Sequence, residues 1–304
     1  MSVAYGRETV AVLGLGLIGG SLARALRASG FSQRFIGYGY RERSLRKGQE
    51  LGVIDEFSLD LDEVLARADI AVICAPTLVA ADMLQDILGR LSSCDHAPVI
   101  TDAASVKGNL LEVALSAGGG QMPANVVLGH PIAGSERSGV EASSAELFVN
   151  HRVILTPVEG NDAAAVALVR DMWRSTGAEV VDMAVADHDA VLAATSHLPH
   201  VLAYALVDAL AQSDASADIF RFAAGGFRDF TRIASSDPVM WRDISIANRE
   251  ALLQSIDLFT QRLECLRAAV DARDSEQLLE TFDRAKQARD QFAAQLAERN
   301  RSAT

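Results

Sequence analysis

A histidine stands at position 130 in the stretch Val126-Val127-Leu128-Gly129-His130-Pro131-Ile132-Ala133-Gly134, where a β-branched run gives way to glycines. Imidazole titrates near neutrality, so a histidine at a strand exit suits the acceptance of an alcohol's proton as hydride leaves the carbon. The plainer reading is a histidine that bonds a loop. Pro131 holds His130 extended in either case. Ser105 lies in Val99-Ile100-Thr101-Asp102-Ala103-Ala104-Ser105-Val106-Lys107, at another strand exit and helix start. It is either a helix N-cap or a hydroxyl facing a nicotinamide and a substrate oxygen. Arg228 and Arg232 fall one helical turn apart in Gly225-Gly226-Phe227-Arg228-Asp229-Phe230-Thr231-Arg232. Asp229 and Arg232 at i,i+3 would make a structural ion pair. The alternative is a guanidinium clamp on a carboxylate, with Trp241 and Arg242 walling the same pocket. Ser196, His197 and His200 are spaced three and four apart, which places them on one helix face. Polar groups on an apolar helix need partners, and a ligand is one candidate. The His-x-x-His spacing has no thiolate or carboxylate set to complete it, so no metal is expected.

These residues need a scaffold. Val10-Ala11-Val12-Leu13-Gly14-Leu15-Gly16-Leu17-Ile18-Gly19 is an apolar strand ending in three glycines at G-x-G-x-x-G spacing, with a helical pattern after it. Gly14 permits a tight turn, Gly16 lets backbone amides approach a pyrophosphate, and Gly19 lets the helix pack close. The loop Gly14, Gly16, Leu17, Ile18, Gly19 is the expected cradle for a dinucleotide. Ala75 and Pro76, after a later strand, are expected to line its ribose. Neighbouring Cys74 reads as a small apolar residue rather than a nucleophile. An acid for the ribose hydroxyls is expected at the end of the second strand, but Gly39 stands there, followed by Tyr40-Arg41-Glu42-Arg43. Without a carboxylate, Arg41 or Arg43 can pair with a 2′-phosphate, which favours NADP slightly over NAD. Glu42 rotating onto the ribose is the competing reading.

Strand patterns at Thr9–Leu13, Phe35–Tyr38, Ile70–Cys74, Val99–Asp102, Val126–Gly129, Arg152–Leu155 and Glu179–Asp182 alternate with helical ones. This predicts an α/β Rossmann-type, mostly parallel sheet over residues 1–184. From 185 to 304 the strand signal stops and Ala/Leu-rich helices follow, predicting an all-helical domain that binds substrate and dimerises. The apolar stretch Ala190–Ala211 contains Ser196, His197, Pro199, His200 and Asp208, and reads as a buried globular helix rather than a membrane span. Its 304 residues, nearly half of them hydrophobic, suffice for two domains. A net charge of −12 argues against nucleic acid as partner. Three isolated cysteines, Cys74, Cys94 and Cys265, and an N-terminus without an apolar signal segment fit the cytoplasm.

Together the segments GLGLIGGS, DAASVK, GHPIAGSERSG, SHLPH and GGFRDFTRIASSDPVMW resemble the prephenate/arogenate (cyclohexadienyl) dehydrogenase family of tyrosine biosynthesis, in family order from Gly14 to Trp241. The resemblance implies an NAD(P)-dependent oxidative decarboxylation in which His130 takes the hydroxyl proton and Ser105 orients that hydroxyl and the nicotinamide. It further implies that Arg232 binds a substrate carboxylate, that Ser196, His197 and His200 line the pocket, that Glu136 sits at its rim, and that the helical domain makes homodimers. A fused chorismate mutase domain in front and a regulatory domain behind, found in some members, are not expected. Two readings compete. A β-hydroxyacid dehydrogenase would normally need a lysine on the first helix of the second domain, where none stands in Asp187–Gln212. A non-catalytic NADP-binding redox sensor would have no use for His130.

Overall fold

The computed structural model describes residues 6–91, 97–134 and 137–302, with side chains to 298; Cys94 and Glu136 lie outside the described residues. Two compact units form, Met1–Arg249 and Glu250–Thr304.

The first unit is built on strands β1 (Thr9–Leu13), β2 (Arg34–Tyr38), β3 (Glu56–Ser58), β4 (Ile70–Ile73), β5 (Val99–Asp102) and β6 (Val126–Val127). They form a six-stranded sheet in the order β3-β2-β1-β4-β5-β6, every pair parallel. Side chains alternate across a strand, and both faces of a parallel sheet need an apolar cover. In β1, Val10 and Val12 join Leu22, Phe35 and Trp173 on one face. Ala11 and Leu13 join Ile36, Ile73, Leu84 and Ile100 on the other. Burial of each large side chain contributes about 1.5–3 kcal/mol. The near-continuous apolar runs in the sequence are therefore two-faced strands. Glu56–Ser58 was not expected as a strand: its three residues are only half-buried and carry no apolar run.

The predicted strand Val126–Gly129 divides. After Val127 the chain leaves the main sheet, and β7 (Gly129–Ile132) pairs antiparallel with β8 (Arg152–Leu155), which pairs parallel with β9 (Glu179–Asp182). His130 thus sits within a strand of this smaller sheet, opposite Ile154, and not at an exit of the main one.

The strand order reverses direction between β1 and β4, the switch point at which such sheets bind ligands beyond their carboxyl ends. Past the expected boundary at 184/185, the first unit continues through helices Val185–Leu192, Leu198–Ala211, Ser216–Arg221, Gly225–Thr231 and Pro238–Ala247. One tie across that boundary is a long-range cap. The helix Gly108–Ala117 has no capping side chain of its own, and Asp189 supplies one, accepting from Lys107 N at 3.0 Å and Gly108 N at 2.7 Å. Ser105 is consequently not the N-cap of that helix, which begins three residues later.

The long helix read from Asp187 to Gln212 is interrupted by a π-helical turn over Ala193–His197. By length and composition Val185–Ala211 is apolar enough to cross a membrane, and about a fifth of its most apolar window is buried within the chain. The helix expected to be buried is therefore buried in part. One face, with His188, Asp189, Leu192, Ala193, His197 and Ala203, is covered, and much of the remainder is open.

The second unit consists of the helices Arg249–Asp271 and Ser275–Ser302, joined by a turn in which Arg273 adopts φ +53° and Asp274 caps Gln277 N at 3.0 Å. Leu258, Leu263, Phe282 and Phe292 are all more than half exposed on it.

Candidate active site

Three strand ends meet at the glycine loop. Gly14 N–H donates to Tyr38 O at 2.8 Å, and Cys74 N–H to Leu13 O at 2.7 Å, so the exits of β2, β1 and β4 lie side by side. Gly14 has φ +103°, and a Cβ there would stand 2.6 Å from Cys74 O. A Cβ on Gly19 would stand 2.4 Å from Gly14 O. Both positions exclude any side chain, for the reasons that the spacing predicts. A Cβ on Gly16 would meet nothing within 4 Å, so its small size serves space outside the chain rather than internal packing. The helix Leu17–Ala28 starts there without a side-chain cap, and its first intrahelical bond is Gly20 N to Gly16 O at 3.0 Å. The amides of Leu17, Ile18 and Gly19 precede that bond, and a helix N-terminus of this kind favours an anion. The residues present fit a dinucleotide pyrophosphate. Ala75 and Pro76 follow β4 beside this loop, and burial pushes the Cys74 thiol well above its usual range, which keeps it un-ionised.

At the end of β2, Gly39 has nothing within 4 Å of an added Cβ. Arg41 and Arg43 are exposed. Glu42, the competing acid, is held by Arg46 at 2.5 Å. A cleft of about 620 Å³ opens here, lined by Arg43, Arg46 and Lys47 and by Glu42, Glu50 and Glu141, with Ser44.

The histidines form a chain that spacing alone did not reveal. His130 Nδ1 lies 2.9 Å from His188 Nε2, and His188 Nδ1 lies 2.7 Å from Asp189 Oδ1. Ionised Asp189 accepts only, so His188 carries its proton on Nδ1 and offers Nε2 as acceptor. His130 then donates from Nδ1 and carries a lone pair on Nε2. Burial, then Lys107, His188 and His197, push the His130 pKa well down. Burial alone would raise Asp189, but the bonds from His188, Lys107 N and Gly108 N outweigh it and hold the carboxyl low. The arrangement is a neutral base oriented by a second histidine and a carboxylate.

Two more buried groups fix the next histidine. Asn248 Nδ2 donates to Asp189 O at 2.8 Å and to His197 Nδ1 at 3.0 Å. His197 therefore bears its proton on Nε2, and burial pushes its pKa down to about 4. His200 stacks on Trp241 at 3.5 Å between ring centroids, and His197 meets the same ring edge-on at 6.1 Å. His200 Nδ1–H donates to Ser196 O at 2.9 Å; its pKa is lowered by burial, against the raising effect of that bond, with a smaller lowering from Arg232. Ser196, His197, His200 and Trp241 are thus brought together, and Arg232 stands within electrostatic reach. Of the two readings of Arg232, the structural pair with Asp229 is not the one formed among the described residues: Asp229 pairs with Arg228 at 3.1 Å, both largely open to solvent.

Ser105 is half-buried between Asp102 and Lys107, whose side chains pair with each other. Sequence reasoning missed His188, Asp189, Asn248, Asp102 and Lys107. The adjacent His188-Asp189 at a helix start was a usable signal; the others acquire meaning only through contacts 22 to 82 residues away.

Family models now add an independent finding. The prephenate dehydrogenase nucleotide-binding domain matches residues 22–182, and the prephenate dehydrogenase dimerization domain matches residues 184–284. The chain belongs to the prephenate dehydrogenase family. This dehydrogenase is 36% identical to a cyclohexadienyl dehydrogenase of Zymomonas mobilis, across 92% of this chain and 94% of that one. It is likewise 36% identical to a prephenate dehydrogenase of Bacillus subtilis, across 93% and 76%. Among solved structures it resembles Aquifex aeolicus prephenate dehydrogenase in complex with hydroxyphenyl propionate and NAD+, with TM-score 0.86, 36% identity and coverage of 95% and 100%. Synechocystis arogenate dehydrogenase follows with TM-score 0.78, 30% identity and coverage of 93% and 99%. The dehydrogenase is therefore an oxidoreductase with a domain that binds NAD(P).

Proposed function

We infer that this dehydrogenase catalyses the oxidative decarboxylation of prephenate, arogenate or both, forming 4-hydroxyphenylpyruvate or tyrosine. The observation that carries the reading is the chain Asp189–His188–His130, which leaves an unprotonated Nε2 on a buried histidine. His130 takes the proton of the ring hydroxyl as that carbon becomes a carbonyl. When bound, the nicotinamide accepts the hydride from the same carbon. Loss of the ring carboxylate as CO2 then aromatises the ring, and His130 returns its proton to the phenolic oxygen. Ser105 orients the hydroxyl, Arg232 binds a substrate carboxylate, and His197, His200, Ser196 and Trp241 wall the pocket. Glu136 at the rim and Arg228 at the approach remain assigned by sequence pattern. Gly14, Gly16, Leu17, Ile18 and Gly19 hold the pyrophosphate, with Ala75, Pro76 and Ser105 along the cofactor.

NADP is favoured over NAD. The supporting observations are the open Gly39, the exposed Arg41 and Arg43, and Glu42 engaged by Arg46. We place the functional division at 184/185, within two residues of the junction at 182/184 between the two family models. The helical domain forms a homodimer, supported by its dimerization-domain match and by exposed Leu258, Leu263, Phe282 and Phe292. We assign the enzyme to the cytoplasm, in keeping with its biosynthetic relatives.

The test is turnover of prephenate and arogenate with NAD+ and NADP+. Production of CO2 and reduced cofactor with either substrate is expected. Tight cofactor binding with no turnover of either would overturn the reading and support a redox sensor.

A further inference from the structure

One buried ion pair has no part in the chemistry described so far, yet touches both segments that carry it. Lys107 is fully buried, and its Nζ pairs with Asp102 and donates to Gly129 O at 2.7 Å. The Asp102 carboxylate also accepts from Ala104 N at 2.8 Å and Gly129 N at 3.2 Å. Asp102 and Lys107 therefore bracket the loop of Ser105. Their bonds to both polar atoms of the Gly129 backbone fix the residue immediately before His130. Main sheet and small sheet are joined here, where the chain passes from one to the other.

We propose that Lys107 is a positioning residue for the reaction, whose buried side chain ties the Ser105 loop to the His130 strand and places a cation on the Gly129 carbonyl, one residue before the proton acceptor. The proposal rests on the assigned reaction only for its kinetic arm. An ion pair so deeply desolvated is a poor source of net stability compared with an apolar pair of similar size, which gives weight to a role beyond packing. A group held within a fraction of an ångström by such a tie matters because a displacement of about 1 Å at a reacting centre costs on the order of 10²-fold in rate. The charge acts on a defined set of neighbours. The groups that act on His130 are Lys107 from the β5 exit, His188 from the helix Val185–Leu192, itself bonded to Asp189, and His197 from the π turn. Among these Lys107 is the cation that opposes protonation of His130. Burial pushes the Lys107 amine down, and the pairing with Asp102 opposes that shift. Loss of Lys107 would remove that opposition, so the imidazole would become more basic.

Two variants separate the tie from the charge. K107Q keeps a donor for Gly129 O and removes the charge. K107M/D102L removes the pair together, leaving no unpaired buried ion. The imidazole titration of His130 is followed by NMR in the protein without substrate, with its resonance assigned by absence from H130N. In K107Q the titration is expected to rise by about 1 pH unit or more, and the acidic limb of kcat to rise with it. K107M/D102L is expected to bind cofactor normally and to lose kcat by about 10- to 100-fold with little change in KM. A His130 titration unmoved in K107Q overturns the role of the charge. A wild-type kcat in K107M/D102L overturns the tie. Because the titration needs no turnover, it decides the inference even if neither cyclohexadienyl substrate reacts, in which event the functional reading fails separately.

Discussion

His188 Nε2 lies 2.9 Å from His130 Nδ1, and the bond fixes which nitrogen of His130 is free to take a proton. His130→Asn removes that base, and kcat should fall by about 10²–10⁴-fold with cofactor binding retained. Steady-state kinetics with the preferred substrate provide the check. Unchanged turnover would remove His130 from its role.

Asp189 orients His188 and caps the helix Gly108–Ala117, so one substitution should show two separable effects. Asp189→Asn can no longer impose the Nδ1–H tautomer on His188, and kcat should fall by at least about 10-fold. The weakened cap should cost about 0.5–2 kcal/mol of stability, read by denaturant unfolding. A stability loss without a kinetic one would reduce Asp189 to a cap.

Arg232 approaches the His200–Trp241 stack closely enough to affect His200. Arg232→Ala should raise substrate KM by the equivalent of about 2–5 kcal/mol if the carboxylate it pairs is desolvated, with a much smaller change in cofactor affinity. A normal KM would dismiss the clamp.

Gly39 has open space around it, so Gly39→Asp should be accommodated without loss of fold. The added carboxylate would repel a 2′-phosphate and bond ribose hydroxyls, shifting the ratio of kcat/KM values toward NAD. Persistent NADP use would mean that the β2 exit does not read the 2′ position.

Buried neutral histidines make stability sensitive to acid. His130 and His197 have pKa values lowered in the folded chain, that of His197 to about 4. Between the ordinary value near 6.5 and the folded value, the unfolded chain binds more protons, so stability falls as pH falls. His197 alone accounts for about 3 kcal/mol over that window, and its replacement by Asn should flatten the dependence. Denaturant midpoints from pH 7.5 down to 4.5 provide the measurement. A pH-independent difference between the two proteins would contradict the lowered value.

The amino-acid sequence determined the parallel sheet, because two-faced strands must be apolar throughout, and it determined the glycine loop, because Gly14 and Gly19 occupy positions that a Cβ would block. It marked His130, Ser105 and Arg232 through motifs that are local in the chain. The break after Val127 was hidden in it, since Val126 to Gly129 has the same apolar pattern whether it remains in one sheet or changes to another. The partners of His130 were hidden for a related reason. His188 and Asp189 are visible as an adjacent pair, but only packing brings them to His130, 58 residues away, and brings Asn248, just past the helix Pro238–Ala247, to Asp189 and His197. Tertiary structure alone decided the tautomers, because a buried polar group has to be satisfied by whichever neighbours the fold brings, and those neighbours are not written beside it.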